Sequence, residues 1–208
     1  MKRKIDHIVY TVTNLDAAID EFEKLSGVRP VFGGYHTTKG TKNALVNLGD
    51  NCYLEILTID EGNTAIKPPR WMGVDFVKTP QITRWSLKSN QLHQDSKILQ
   101  KYHSEMGVIQ GGQRQTTVAD TLTWEMILPL ATPLVEPIPF MTDWQHSSVH
   151  PTHNLPPQCE LIELSFTHLH PTIIQQIFSE LSIDILVQQG EEATIQAKIK
   201  SPNGVFII

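Results

Sequence analysis

Residues 5–12 alternate between two sets of side chains, as a β-strand with two different faces does. One face carries Ile8, Tyr10 and Val12, and the other carries His7, Val9 and Thr11. An apolar stripe with helical spacing follows from Leu15 to Ser26, and Gly27 is placed to end that helix. Three later runs, at 31–35, 43–48 and 52–58, have the composition of strands. The pattern therefore predicts a βαβββ unit whose helix covers one face of its sheet.

The strand-then-helix pattern recurs twice further along the chain. A shift of 156 residues (161 − 5) superposes Phe22 on Phe178 and Leu25 on Leu181. A weaker copy begins at Ile82, 77 residues after the first (82 − 5). Repeated units predict a fold built by duplication, in which equivalent strand positions converge on one cavity.

Further elements follow from the same periodicities. The middle copy is predicted to have strands at 82–89, 122–128 and 138–144, a helix at 91–106 about one turn longer than the first, and a turn at Gly111-Gly112. The third copy is predicted to have a helix at 172–181 and strands at 161–168 and near 183–188, 193–200 and 205–208.

These elements predict an α+β fold in which repeated βαβββ modules form a curved, cupped mixed β-sheet with helices on the outside. The predicted divisions are a first module at 1–59, a connector at 60–81, a second module at 82–145, a loop at 146–158 and a third, partial module at 159–208 packed on the others.

Composition narrows the classes of partner. Hydrophobic residues make up 40% of the 208 residues and charged ones 19%, which is typical of a globular chain rather than a disordered one. The net charge is −5 and no Lys/Arg stripe is present, so we expect no nucleic-acid partner. Every long apolar run is broken by Pro or polar residues, so we expect no membrane partner. Two isolated cysteines, Cys52 and Cys159, indicate a reducing, cytoplasmic location.

Several segments resemble one known family. They are Asp6–Tyr10 with Asn14–Ala18, Tyr53–Leu57, and Ile138–Trp144 with His150-Pro151 behind it. Together they resemble the glyoxalase-like domains of the vicinal oxygen chelate superfamily. The resemblance implies paired modules that curl into a cup, in metal-dependent members around one divalent ion, with ligands on the first and last strand of each module.

Carried over by this resemblance, the ligand positions of the first module are His7 and Glu55. Alternation places both side chains in the cup, since Glu55 lies opposite Leu54 and Ile56. A histidine and a carboxylate form half of a site for a divalent ion. Each also has a plainer interpretation. His7 would be a histidine in a half-buried sheet, and Glu55 would belong to a structural ion pair.

The second module departs from the family pattern. The position that matches His7 is Arg84, which cannot ligate a metal because it keeps its proton. Arg84 is instead expected either to close the cup by a salt bridge with Glu55 or to recognise an anion. On the last strand of the second module, Asp143 or Thr142 would fill the fourth ligand position. In the third module, Glu163 is the residue equivalent to His7. We therefore expect a divalent ion that binds weakly or not at all.

Three histidines in the loop, His146, His150 and His153, have no fixed ligand spacing and are interpreted as solvated.

The expected function is that of a glyoxalase-like protein that binds a small organic molecule in its cup. As an enzyme it would be a lyase, an isomerase or dioxygenase-like, with His7 and Glu55 as ligands or acid and base and Arg84 orienting an anionic group. The alternatives are a non-catalytic binding protein and a catalytically silent dimerisation module. A homodimer is expected only as an addition to packing within the chain.

Overall fold

The computed structural model describes residues 3–115 and 121–208. The first module contains β1 (Ile5–Thr11), α1 (Leu15–Ser26), β2 (Val31–His36), β3 (Thr41–Asn47) and β4 (Tyr53–Ile59). The helix is capped at both ends as its sequence predicts. Asn14 accepts a hydrogen bond from the Ala17 backbone N–H (3.0 Å), and Gly27 ends the helix with a φ of 77°.

The second module repeats this order. It contains β5 (Gln81–Lys88), α2 (Leu92–Tyr102), β6 (Ile109–Gln115), β7 (Thr121–Ile127) and β8 (Phe140–Asp143). A short 3₁₀ turn at Trp71–Gly73 precedes it. The two modules form one eight-stranded sheet in the order β2-β3-β4-β1-β5-β8-β7-β6. Both halves have the same internal pairing, and the antiparallel β1–β5 pair joins them. The predicted duplication and α+β class are confirmed.

The two faces of this sheet differ in what covers them. Ile8 of β1 and Trp85 of β5 lie side by side on the face that packs against the helices. Val9 and Leu57 lie on the other face, in a small apolar cluster with Phe140 and the 3₁₀ turn. That second face lines the cup, so the residues that share it with Val9 are the candidates for function.

The third module contains β9 (Glu160–His168), α3 (Pro171–Glu180), β10 (Val187–Gln189), β11 (Thr194–Ser201) and β12 (Gly204–Ile207). Its elements follow the predicted βαβββ order, but its sheet does not. The strand order is β10-β9-β11-β12, with β9 in the interior and flanked on both sides, whereas β1 pairs with the last strand of its own module. The third copy is therefore not a topological repeat of the first.

This second sheet packs on the convex side of the first. Phe166 and Phe178 contact Trp85, with ring centroids 5.0 and 5.8 Å away, and Trp85 is fully buried. Phe206 likewise packs edge-on against Phe22 of α1 at 5.7 Å. The core of the third module is thus continuous with that of the first two.

Two predicted elements were wrong. Helix α2 ends at Tyr102 and is no longer than α1, because residues 103–107 leave the helix in a turn in which Met106 N–H bonds the His103 carbonyl (2.9 Å). Gly111 and Gly112 lie inside strand β6 rather than in a turn.

Among the described residues, no helix has the length and apolar character needed to cross a membrane.

Candidate functional site

A small cavity closes the inner end of the cup. Its volume is about 30 Å³, enough for roughly one water molecule. Its lining combines titratable, amide and aromatic side chains, among them His7, His36, Asn43, Tyr53, Glu55, Trp71, Trp124 and Trp144. Both first-module residues predicted from the sequence, His7 and Glu55, are therefore in one site.

His7 is held by the residue next to it. Its Nδ1 lies 2.6 Å from Oδ1 of Asp6, and both side chains are buried. Burial by itself raises the pKa of the Asp6 carboxyl, but hydrogen bonds from His150 and His7 outweigh it and lower that pKa to about 2. An ionised carboxylate only accepts hydrogen bonds, so Nδ1 of His7 carries a proton. In the neutral ring, Nε2 then presents a lone pair to the cup.

The second oxygen of Asp6 is also used. Trp144 Nε1 donates to Oδ2 at 2.9 Å, and His150 Nε2 lies 3.4 Å from the same atom. The ring of Tyr53 stacks on His7 with centroids 4.6 Å apart and planes 15° apart. The His7 ring is thus fixed by a carboxylate at its edge and an aromatic ring on its face.

Glu55 lies between two imidazoles. Its Oε2 is 3.8 Å from Nε2 of His7, and its Oε1 is 3.7 Å from Nε2 of His36. Asn43 Nδ2 donates to Oε1 at 2.5 Å. The buried carboxylate therefore has a hydrogen-bond donor on one oxygen and an imidazole near each oxygen.

His36 is oriented by a hydroxyl group. Trp71 Nε1, which can only donate, bonds Oγ1 of Thr41 at 3.1 Å, and that oxygen is 2.9 Å from Nδ1 of His36. Asn43 Nδ2 lies 3.4 Å from Nε2 of His36, so both nitrogens of this ring have polar neighbours in the site.

Arg84 does not lie beside His7 and Glu55, and its expected salt bridge with Glu55 is absent. In the β1–β5 register Arg84 lies opposite Val9, and Ser86 is the residue opposite His7. The guanidinium donates to four backbone carbonyls, those of Thr83 (2.6 Å), Leu130 (3.0 Å), Pro133 (2.6 Å) and Leu134 (2.9 Å). Burial lowers the pKa of Arg84 to about 10, with an opposing contribution from Glu136. Arg84 therefore holds the loop before β8 rather than an anion in the cup.

Asp143 also lies away from the pair. It lies beside Glu125 in the β7–β8 register, and its oxygens accept hydrogen bonds from the backbone N–H and side-chain amide of Gln145, both at 2.8 Å. Its neighbour Thr142 is the residue that turns toward β5, where its hydroxyl bonds Ser86 Oγ at 2.8 Å. At these two positions the second module thus presents hydroxyl groups bonded to each other.

These donors do not make a tight metal site. Of these groups, His7 Nε2 and Glu55 Oε2 are left to ligate an ion, since Asn43 Nδ2 lies on Nε2 of His36 and donates to Oε1 of Glu55. Tight sites use three or four protein ligands. In the described part of the chain, no group of three or more His, Cys, Asp or Glu side chains is arranged to hold a metal ion.

Sequence reasoning missed three members of the site. The sequence indicates Asp6 only as part of a family-like segment, His150 as a solvated loop residue, and Trp144 as the end of a strand. A signal was present, because all three lie in the segments that carry the family resemblance. Trp124 also lines the cavity.

What the site can do follows from its two facing groups. A buried imidazole with a free Nε2, backed by a carboxylate, is a base whose protonated form is stabilised by its partner. A second carboxylate 3.8 Å from that nitrogen can hold or return the proton. The arrangement is suited to moving a proton on a bound molecule.

The chain matches a family model described as a glyoxalase-like domain over residues 5–181. No curated protein matches the chain. A hypothetical protein from Staphylococcus aureus has a similar structure, with a TM-score of 0.67 and 15% identity, covering 99% of this chain and 98% of that one. Methylmalonyl-CoA epimerase from Mycobacterium tuberculosis gives a TM-score of 0.41 at 16% identity, covering 67% of this chain and 85% of that one.

A Streptomyces coelicolor methylmalonyl-CoA epimerase variant, in complex with 2-nitronate-propionyl-CoA, gives a TM-score of 0.43 at 13% identity, covering 72% of this chain and 99% of that one. The family model covers most of the chain, and the cupped sheet has the topology that the family resemblance implied. The chain belongs to the glyoxalase-like domain family.

Proposed function

We propose that this protein binds a small oxygen-bearing organic molecule in its cup and moves a proton on it, as an isomerase or lyase does. One observation carries the proposal: Asp6 holds His7 with its Nε2 directed at the cup, 3.8 Å from a carboxylate oxygen of Glu55. Two groups that can exchange protons flank the same point, in a small cavity with aromatic side chains in its lining.

The chemistry needs no oxidant or reductant. His7 Nε2 removes a proton from a carbon next to a carbonyl group, and the electron pair moves onto the carbonyl oxygen as an enolate. Asp6 stabilises the imidazolium that forms. In this scheme His36 carries a proton on Nε2 and donates a hydrogen bond to that oxygen. Return of the proton, from His7 or through Glu55, to a different face or atom completes an isomerisation, and expulsion of a leaving group completes an elimination.

The inner cavity holds only the reacting atoms, but a larger one adjoins it. That outer cavity has a volume of about 270 Å³ and shares four lining residues with the inner one: His36, Trp71, Trp124 and Met126. The body of the molecule therefore lies in the outer cavity and its reacting end passes His36 and Trp71 to reach His7.

Deuterium exchange tests this function directly. Hydroxyacetone, acetoacetate and 2-oxobutyrate are incubated in D₂O with the protein, and loss of the C–H signals is followed by proton NMR. We expect the wild type to accelerate exchange of at least one compound, and His7→Gln and Glu55→Gln each to reduce that rate by about 100-fold or more. His93→Gln, the same change on an exposed helical position, is the control. Equal exchange by wild type and His7→Gln, or none above buffer for any compound, contradicts the proposal.

A non-catalytic binding protein is the second candidate, and the wall between the cavities favours it. His36 and Trp71 pack edge-to-face at 5.3 Å and separate the outer cavity from His7. A ligand that remains outside this wall would bind without reacting. Saturable binding of a probe that shows no exchange, in wild type and His7→Gln alike, is the result that supports this candidate.

A further inference from the structure

The outer cavity has its own chemical character. The β2–β3 turn forms one side, with His36 and Lys39, and strands β6 and β7 form the other, with Gln110 and Trp124. Gly112 makes room for this wall, because a Cβ at that position would lie 2.6 Å from Cε2 of Trp124. The lining is aromatic and amide-rich, and it contains no Asp or Glu among the described residues.

Lys39 brings an ammonium group to this lining. Its Nζ lies 5.5 Å from the ring centroid of Trp71 and 3.1 Å from Oε1 of Gln110. Partial burial lowers the pKa of Lys39, which is the effect of removing water from an ammonium group without supplying a counter-ion. Lys42, three residues along, differs: it forms an ion pair with Glu61 at 2.9 Å, and that partner raises its pKa.

An ammonium ion with only a neutral acceptor and an aromatic face near it is under-compensated. The cation–π contact and the amide bond are weaker than a charge-assisted bond to an anion. A carboxylate or phosphate entering the cavity would supply that bond and meet no acidic side chain in the lining. The apolar body of such a molecule would pack on the indole rings of Trp71 and Trp124.

We propose that Lys39 binds the anionic group, a carboxylate or phosphate, of the small molecule whose body fills the outer cavity. This deepens the proposed function, on which it rests for the statement that the other end of the same molecule meets His7. The anionic group selects the molecule and fixes which end enters the inner cavity. The protein therefore discriminates against neutral analogues of the same shape.

Matched probes test this selection. Benzoate, benzamide and phenyl phosphate are titrated into the full-length protein and followed by ¹H–¹⁵N NMR. We expect benzoate or phenyl phosphate to bind about tenfold more tightly than benzamide, as an added charge-assisted bond implies. Lys39→Gln should remove that preference and Lys39→Arg should retain it. Lys42→Gln, which removes the same charge from the same hairpin, should leave it unchanged.

The outcomes separate the anion site from the proton chemistry. The proposal is overturned if no anionic probe binds, if benzamide binds as tightly as benzoate, or if Lys39→Gln keeps the preference. Tighter binding of benzoate would indicate a carboxylate ligand, and tighter binding of phenyl phosphate a phosphorylated one. His7→Gln should bind benzoate as the wild type does, since His7 does not line the outer cavity. If the anion preference is found without deuterium exchange, the proposal of proton chemistry has failed. If exchange is found without the anion preference, the proposal for Lys39 has failed.

Discussion

Asp6→Asn is the substitution that most sharply perturbs the inner site. The pKa of Asp6 falls from its ordinary value of 3.8 to about 2 in the folded protein, and each pKa unit corresponds to about 1.4 kcal/mol. The ionised carboxylate therefore contributes about 2 kcal/mol to the free energy of unfolding at neutral pH. Asn also has one accepting oxygen, so its NH₂ group must face the N–H of either His7 or Trp144. We expect a total loss of about 2–4 kcal/mol.

Urea unfolding at pH 7, followed by far-UV circular dichroism, measures this loss as a lower midpoint at unchanged slope. Asp50→Asn is the matched control: the residue is exposed in a turn with a φ of 49°, which Asn tolerates, and we expect a change within about 0.5 kcal/mol.

The difference between wild type and Asp6→Asn should also depend on pH. The folded pKa of Asp6 lies below its unfolded value, so its contribution is complete above about pH 4 and is lost as the pH falls toward 2. The two proteins should therefore converge in stability as the pH is lowered from 4 to 3. A stability of Asp6→Asn equal to that of wild type at pH 7, or a difference that does not shrink in acid, would refute this description of the site.

Three other outcomes are expected. Arg84→Met should lower the free energy of unfolding by about 3 kcal/mol or more, because four carbonyl groups lose a hydrogen bond from the guanidinium, although those of Thr83 and Leu130 keep a backbone donor; benzoate affinity should not change, and a tenfold weaker affinity by NMR would return Arg84 to the ligand site. Deleting 159–208 should give aggregated or non-cooperatively unfolding protein by size-exclusion chromatography and urea titration, because Trp85 loses its cover; a stable monomer would contradict this. Zinc added to the protein should be removed by dialysis against EDTA, since His7 and Glu55 supply two ligands; stoichiometric zinc by elemental analysis would show a completed site.

The family resemblance singled out His7 and Glu55, and alternation along their strands predicted that both side chains face the cup. His7 and Glu55 face the same side of paired strands, and a period of two residues fixes that side from the sequence. The pairing within the third module was beyond this reasoning. Element order does not specify which strands bond, so β9 could be recognised as a strand but not as an interior one.

The missed residues lie where alternation breaks. The β1–β5 register shifts between Ile5 and His7, so Asp6 is the extra residue of a bulge and its side chain can reach the ring of its own neighbour. His150 lies in a loop without a period to interpret. Gly112 was assigned to a turn because glycine favours turns, whereas its role is to admit the ring of Trp124.

Everything proposed for the inner cavity depends on the protonation of one ring, that of His7. A long-range ¹H–¹⁵N NMR spectrum of the histidine side chains at pH 8 identifies the tautomer of each, with His7→Gln providing the assignment. We predict that His7 carries its proton on Nδ1, bonded to Asp6, and that Asp6→Asn abolishes this preference. A wild-type ring with its proton on Nε2 would have no lone pair directed at the cup, and would contradict the proposal that His7 is the base.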